Sequence, residues 1–273
     1  MPVWTRFPYD AAAFQLDAAT LAARWPRLHA GDLEPLPDDA RVRAAWAAFH
    51  GGDFEGAFVA GLAAAAAGAE SGLTVANKAQ AVHASYLETS ERAKMTLWRE
   101  VAARAEQQIA VEPDNPNAHY WLASALVRGS QGEQIGKALA LGTGGRVRAA
   151  FERAIALTPG HADAHVAFGA FHADLIDRVG SLIAHAQGVS RNAGLTLLRE
   201  GLRLHPASVI ARIEVANGLV MLDGARRQVE AEALYAAAAA CEPMDAAERL
   251  AIEVAKGELA GDASQPDAPS TRE

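Results

Sequence analysis

Apolar residues recur three and four positions apart along most of this chain, and short clusters of Gly, Pro and Asp interrupt them. That period marks amphipathic α-helices, and the clusters mark where they start and stop. The pattern predicts a first helix over 10–24, with Asp10 as its N-cap and Pro26 ending it. A second runs from a cap at Asp38 or Asp39 to about His50. Gly51, Gly52 and Asp53 make a tight turn, and Asp53 caps a helix over 54–68. Further helices are predicted over 74–88, over 90–111 ending before Pro113, and over 246–259. Residues 29–38 (HAGDLEPLPD) carry two prolines and read as a loop, either a linker or a folded-back segment sealing the first helices. Residues 261–273 have no period and are expected to be disordered.

The chain also repeats. IAVEPDNPNAH (109–119), IALTPGHADAH (155–165) and LRLHPASVIAR (202–212) share one order: apolar helix end, proline, polar link, Ala-containing helix start. Pro113, Pro159, Pro206 and Pro243 are spaced by 46, 47 and 37 residues. Small and bulky apolar residues stand at fixed offsets before them: Val147, Phe151 and Ala154; Gly194, Leu198 and Gly201; Ala231, Tyr235 and Ala238. The set before Pro113 is Val101, Ala105 and Gln108, in which Gln108 fits poorly. Offsets of three and four share a helix face, so the small residues admit a neighbouring helix and the bulky one fills the gap.

Alanine is in large excess, 65 of 273 residues, with 6% aromatic and 21% charged. Alanine favours helix and disfavours strand, which reinforces an all-α reading. Net charge is -8 with no long Lys/Arg run, which argues against nucleic acid and anionic membrane surfaces as partners. Cys241 is the single cysteine, so neither an intramolecular disulfide nor a cysteine metal cluster can form. The most apolar stretch, 57–69, is too short and too rich in Ala and Gly to span a bilayer. Residues 1–10 lack the regions of a signal peptide, and a cytoplasmic location is expected.

On its repeat residues the chain resembles the tetratricopeptide repeat (TPR) family. EAEALYAAAAACEP (230–243) and RVRAAFERAIALTP (146–159) are similar to the second helix of that repeat; AHYWLASAL (118–126) and AHVAFGAFH (164–172) are similar to the first. The resemblance spans about 40–258 and implies an all-α fold, a right-handed α-solenoid of antiparallel helix pairs. It divides the chain into an N-terminal helix and loop cap (1–39), a repeat domain (40–260) and a tail (261–273). Two repeats carry similar insertions, IGKALALGTGG (135–145) and VGSLIAHAQGVS (179–190), each expected to lengthen or add a helix and then turn at Gly. This long spacing looks like that of the regulator of microtubule dynamics family and of the T component of tripartite periplasmic transporters.

Candidate chemistry is sparse. His119 and His165 occupy the same slot in two repeats, which favours packing over catalysis. His161 and His165 have the H-x-x-x-H spacing of a metal pair, but Asp163 is the one further ligand in reach, and no metal is expected. Gly142–Gly145 reads as a turn, and Cys241 as a small buried residue. No catalytic motif is present, so a non-catalytic scaffold without a cofactor is expected. The resemblance implies a concave groove lined by the first helices, which takes a protein or peptide partner. By register the groove residues are Asn117, Tyr120, Ser124 and Arg128; then Asp163, Val166, Ala170 and Asp174; then Val215, Leu219 and Asp223. Tyr120 beside Trp121 is the best aromatic anchor. The 246–259 helix offers a possible homodimer contact. The alternative is a solute-binding or transport accessory protein, with a small-molecule pocket between the repeats and their insertions.

Overall fold

The computed structural model describes residues 4–130 and 142–262. Among them are twelve α-helices and no strand: α1 Ala18–Leu28, α2 Ala40–His50, α3 Phe54–Ala66, α4 Gly72–Val82, α5 Glu91–Val111, α6 Pro116–Ser130, α7 Thr143–Leu157, α8 Ala162–Ala186, α9 Arg191–Leu204, α10 Val209–Asp223, α11 Gln228–Ala239 and α12 Ala246–Asp262. Two of the caps read from the sequence do cap: Asp39 accepts from Arg41 N (2.7 Å) and Asp53 from Gly56 N (2.9 Å). Ser90, at the start of α5, also caps, accepting from Ala93 N (3.3 Å). Helix α4 ends earlier than expected, in a π-turn over His83–Leu87.

The first helix is misplaced by the sequence reading. Asp10 accepts from Ala12 N and starts only a 3-10 turn, Ala12–Phe14. The true cap is Asp17, which accepts from Thr20 N at 2.7 Å. Pro26 lies inside α1, in its last turn, and the helix continues to Leu28. A proline there removes one late hydrogen bond and leaves the preceding turns intact.

The helices form two layers. Each of α2, α4, α6, α8 and α10 packs against the helix that follows it, so α3, α5, α7, α9 and α11 lie outside. The inner helices touch in sequence, α2 to α4, α6, α8, α10 and α12, and α12 returns to α2. Ala246, Ala247 and Leu250 of α12 share one core with Trp46 and Phe49 of α2. The inner layer is therefore a closed ring. His50 and Asp245 join its ends, 2.7 Å apart from Nδ1 to Oδ2 and buried.

The repeat residues are contact residues. Val147, Phe151, Ala154, Leu198, Ala231 and Ala238 are all buried. Gln108, the poor match, is buried too, and its Nε2 donates to Thr74 Oγ1 (2.8 Å) and Glu112 Oε2 (2.9 Å), tying α5 to α4. In the second insertion, α8 is lengthened to Ala186 and broken at Gly180 (φ 78°), and the chain turns at Gly188 (φ 76°). Most of the first insertion, 135–141, and the tail 263–273 lie outside the described residues.

Closest approach falls at Gly61 and Gly72, where α3 meets α4. A Cβ on Gly72 would lie 2.3 Å from the Gly61 carbonyl oxygen, and one on Gly61 2.6 Å from that of Gly72. Backbone cannot yield as a side-chain tip can. Gly72→Ala is therefore expected to destabilise the fold by about 1–3 kcal/mol. Gly257→Ala, at an exposed site in α12 with open space around it, should be neutral or stabilise by up to ~1 kcal/mol. Urea unfolding of the two variants checks the contrast.

Candidate functional site

On the inner face of the ring lies a cavity of about 290 Å³ that opens to solvent. Tyr120, Trp121 and Phe151 wall it on one side; Tyr86, Trp98 and Phe171 also line it. Its polar groups are Lys78 from α4, Ser124 and Arg128 from α6, Asp163 and Asp174 from α8, and Glu214 and Asn217 from α10. Arg128 Nη2 donates to Glu214 Oε1 at 2.9 Å, bridging α6 to α10. Tyr120 packs edge-on against Trp121, with centroids 4.8 Å apart. Burial raises the hydroxyl pKa of both tyrosines, Tyr86 to about 12.

The loop that the sequence left open as linker or seal, residues 29–38, bonds to Lys78 and Asp163 of the cavity wall without lining the cavity itself. It folds back into the ring. Trp25 Nε1 donates to Glu34 O (2.7 Å), Asn117 Nδ2 to Asp32 O (3.2 Å) and Asp163 N to Gly31 O (3.1 Å). The acidic loop thus meets the N-terminal ends of α6 and α8, where unpaired N–H groups and the helix dipole favour negative charge. Leu33 takes a left-handed φ of 48°. Such a conformation costs a branched side chain roughly 1–3 kcal/mol. It is held because its neighbours Asp32 and Glu34 are both buried and bonded.

Lys78 Nζ donates to Asp32 Oδ2 at 2.6 Å, and Asp32 Oδ1 lies 2.9 Å from His29 Nδ1. Burial works against the charge on Asp32, but Lys78 and His29 outweigh it and hold the carboxyl well below its usual range. Burial likewise works against the charge on Lys78, yet Asp32 and Asp163 keep it above the usual lysine value. Burial pushes Asp163 up to about 6, with the Asp32 charge adding to the effect and Lys78 opposing it. Burial and the Asp32 charge push Glu34 up to about 8, against the 2.6 Å hydrogen bond from Asn117 Nδ2. Burial lowers His29 and His161 to about 4. Two neutral imidazoles and one neutral carboxyl therefore surround the Lys78–Asp32 pair near neutral pH.

No family model matches the chain, and no curated protein matches it. Among solved structures it is similar to a thermophilic TPR protein from Thermus thermophilus, with a TM-score of 0.55 and 17% identity, over 79% of this chain and 97% of that one. The fold is that of a TPR solenoid. In TPR terms α2, α4, α6, α8 and α10 are first helices, and the cavity is what remains of the concave face.

Of the groove residues expected by TPR register, Tyr120, Ser124, Arg128, Asp163, Val166, Ala170 and Asp174 all line this cavity. Asn117 does not. It is buried, bonded to Glu34 of the loop and to His161 Nε2 (2.9 Å). The three residues placed on α10 are corrected. Val215 and Leu219 are buried in the core with Leu198, and Asp223 pairs with Arg191 and Arg227. The residues of α10 that line the cavity include Ile210, Glu214, Asn217 and Met221. Carrying Asp163, Ala170 and Asp174 forward by the 47 residues between Pro159 and Pro206 lands on Ile210, Asn217 and Met221, so the register was in the sequence and was applied two positions late. Lys78, Tyr86 and Trp98 were missed because they lie before the first repeat proline.

The histidines are structural. His119 and His165 each place Nε2 about 3 Å from the carbonyl of the proline six residues earlier, Pro113 and Pro159. His161 caps α8 through Nδ1, which accepts from Ala164 N at 3.1 Å. Cys241 departs from expectation: it is half-buried, with Arg212 Nη1 2.7 Å from its sulfur.

Glu34 makes the loop sensitive to pH. The unfolded carboxyl ionises near its ordinary 4.5 and the folded one near about 8. The unfolded chain loses its proton first, so this group's contribution to stability falls as pH rises from about 4.5 to about 8. Glu34→Gln keeps an acceptor for Asn117 and removes the titration. It is expected to be more stable than wild type at about pH 8, by on the order of 3 kcal/mol, with the gap closing toward pH 5. Urea unfolding across that range measures it.

Proposed function

We propose that this protein is a non-catalytic binding module of the cytoplasm that holds one small ligand in the cavity of its inner ring. This is the solute-binding or transport accessory role that the long repeat spacing suggests. The observation that carries the reading is the closure of the concave face. α12 returns to α2, and a pocket of about 290 Å³ lies on the inner face, lined mostly by α4, α6, α8 and α10. That volume lies at the small end of ligand pockets, and a helical peptide, 10–12 Å across, is too wide for it. Aromatic walls with a few convergent polar groups are what a small organic ligand needs. Lys78 is held protonated by Asp32, which argues against an amine nucleophile. Among the described residues no group of three His, Cys, Asp or Glu could hold a metal, and no helix is long and apolar enough to cross a membrane.

A partner protein is the second reading, and one observation favours it. Ile210 and Met221 line the cavity and are 45% and 41% exposed, so its mouth has an apolar rim on which a partner's side chain would rest.

Thermal unfolding against a library of small metabolites separates the readings. A ligand at 100 times its Kd adds about 2.7 kcal/mol, which should raise the melting temperature by roughly 5 °C. Ala170→Leu, which fills the cavity, should abolish that rise while leaving the helical circular dichroism intact. No shift across the library, together with a stable complex with another protein, would favour the second reading.

A further inference from the structure

The balance of charge in the cavity names a class of ligand. Two basic groups line it, and each already has a carboxylate: Lys78 is bound to Asp32 at 2.6 Å and Arg128 to Glu214 at 2.9 Å. Asp163 and Asp174 line it as well. Asp174 leans outward on Arg178 at 3.5 Å. Asp163 lies against Gly31, and among the described residues its carboxylate accepts no hydrogen bond. Asp32 and Asp163 therefore share one ammonium, leaving one negative charge in the cavity. The rings of Tyr86, Trp98, Tyr120 and Trp121 line the same cavity, and aromatic faces attract cations. An anion would meet Asp163 uncompensated, and a neutral ligand would leave it so.

We propose that the cavity binds a compact organic cation, an ammonium on a short apolar stem, with Asp163 as its counter-charge and the Tyr and Trp rings as its walls. This rests on the reading of the cavity as a ligand site. The cavity's other carboxylates, Asp174 and Glu214, are paired with Arg178 and Arg128, and the groups of the loop and of the walls beside it hold their state across the useful pH range. Lys78 and Arg128 stay charged, Asp32 stays ionised, Glu34 stays neutral below about 8, and His29 and His161 stay neutral above about 4. Asp163 itself, pushed up to about 6, is the group that changes.

The test is calorimetric titration of the whole chain with n-butylammonium, tetramethylammonium, n-butanol and butyrate, at about pH 7.5 and about pH 5. The cations are expected to bind at the higher pH, and butanol and butyrate to bind at least tenfold more weakly. Cation affinity should drop by about tenfold at the lower pH, as Asp163 takes up its proton. Asp163→Asn should lose that pH dependence and about tenfold in affinity, and Tyr120→Leu should weaken tetramethylammonium in particular. A blocked Gly-Lys-Gly peptide shows the source: binding tighter than butylammonium points to a lysine side chain, and weaker binding to a free amine. Butanol or butyrate binding as well as the cations would overturn the cation and leave the cavity as a ligand site. Unchanged cation binding by Asp163→Asn would overturn it too. No binding by any probe would overturn the cation, while the library screen would still judge the cavity.

Discussion

Closure of the inner ring is the constraint on which the rest depends. A TPR array is held repeat to repeat, and nothing in that local packing requires its ends to meet. Here α12 reaches α2, and the apolar faces of both are buried in one core. The link is completed by a polar contact, His50 with Asp245, separated by 195 residues in the chain. Asp245 also accepts from Glu248 N at 2.8 Å, so the residue that closes the ring also starts its last helix.

Closure creates a problem that the loop 29–38 solves. A ring of six helices has its inner helix ends facing a common space, with backbone donors that need partners. The loop brings carbonyls to two of those ends, at Asn117 and Asp163, and a carboxylate to Lys78 in the middle of α4. Burying the Lys78–Asp32 pair has a desolvation cost that its attraction does not clearly exceed. Its value lies in register. A loop displaced by one residue would leave a buried ammonium without a carboxylate, which is far worse than the strain at Leu33. The loop thus sets the charge left within the cavity.

The alanine excess takes its meaning from this geometry. Alanines 45, 57, 118, 123, 154, 164 and 238 are buried where one helix crosses another. Thin contacts bring helix axes close, as the Gly61–Gly72 approach does at its limit, and draw the ring tight around a small space. The bulky aromatic side chains are then concentrated in the N-terminal core and the cavity walls.

Helix periodicity, the caps at Asp39, Asp53 and Ser90, and the proline-spaced repeat determine an all-α fold built of helix pairs, because each depends on residues a few positions apart. The same register finds seven of the cavity residues, since equivalent positions on repeated helices must face one way. Tertiary structure alone decided the rest. Whether 29–38 is linker or seal depends on partners such as Asn117 and Asp163, more than eighty residues away. Whether the concave face is a groove or the inner face of a ring depends on α12 meeting α2 across nearly the whole chain. The site's charge is also invisible in sequence, because Asp163 counts as an unsatisfied carboxylate only after folding has given Lys78 to Asp32 and Arg128 to Glu214.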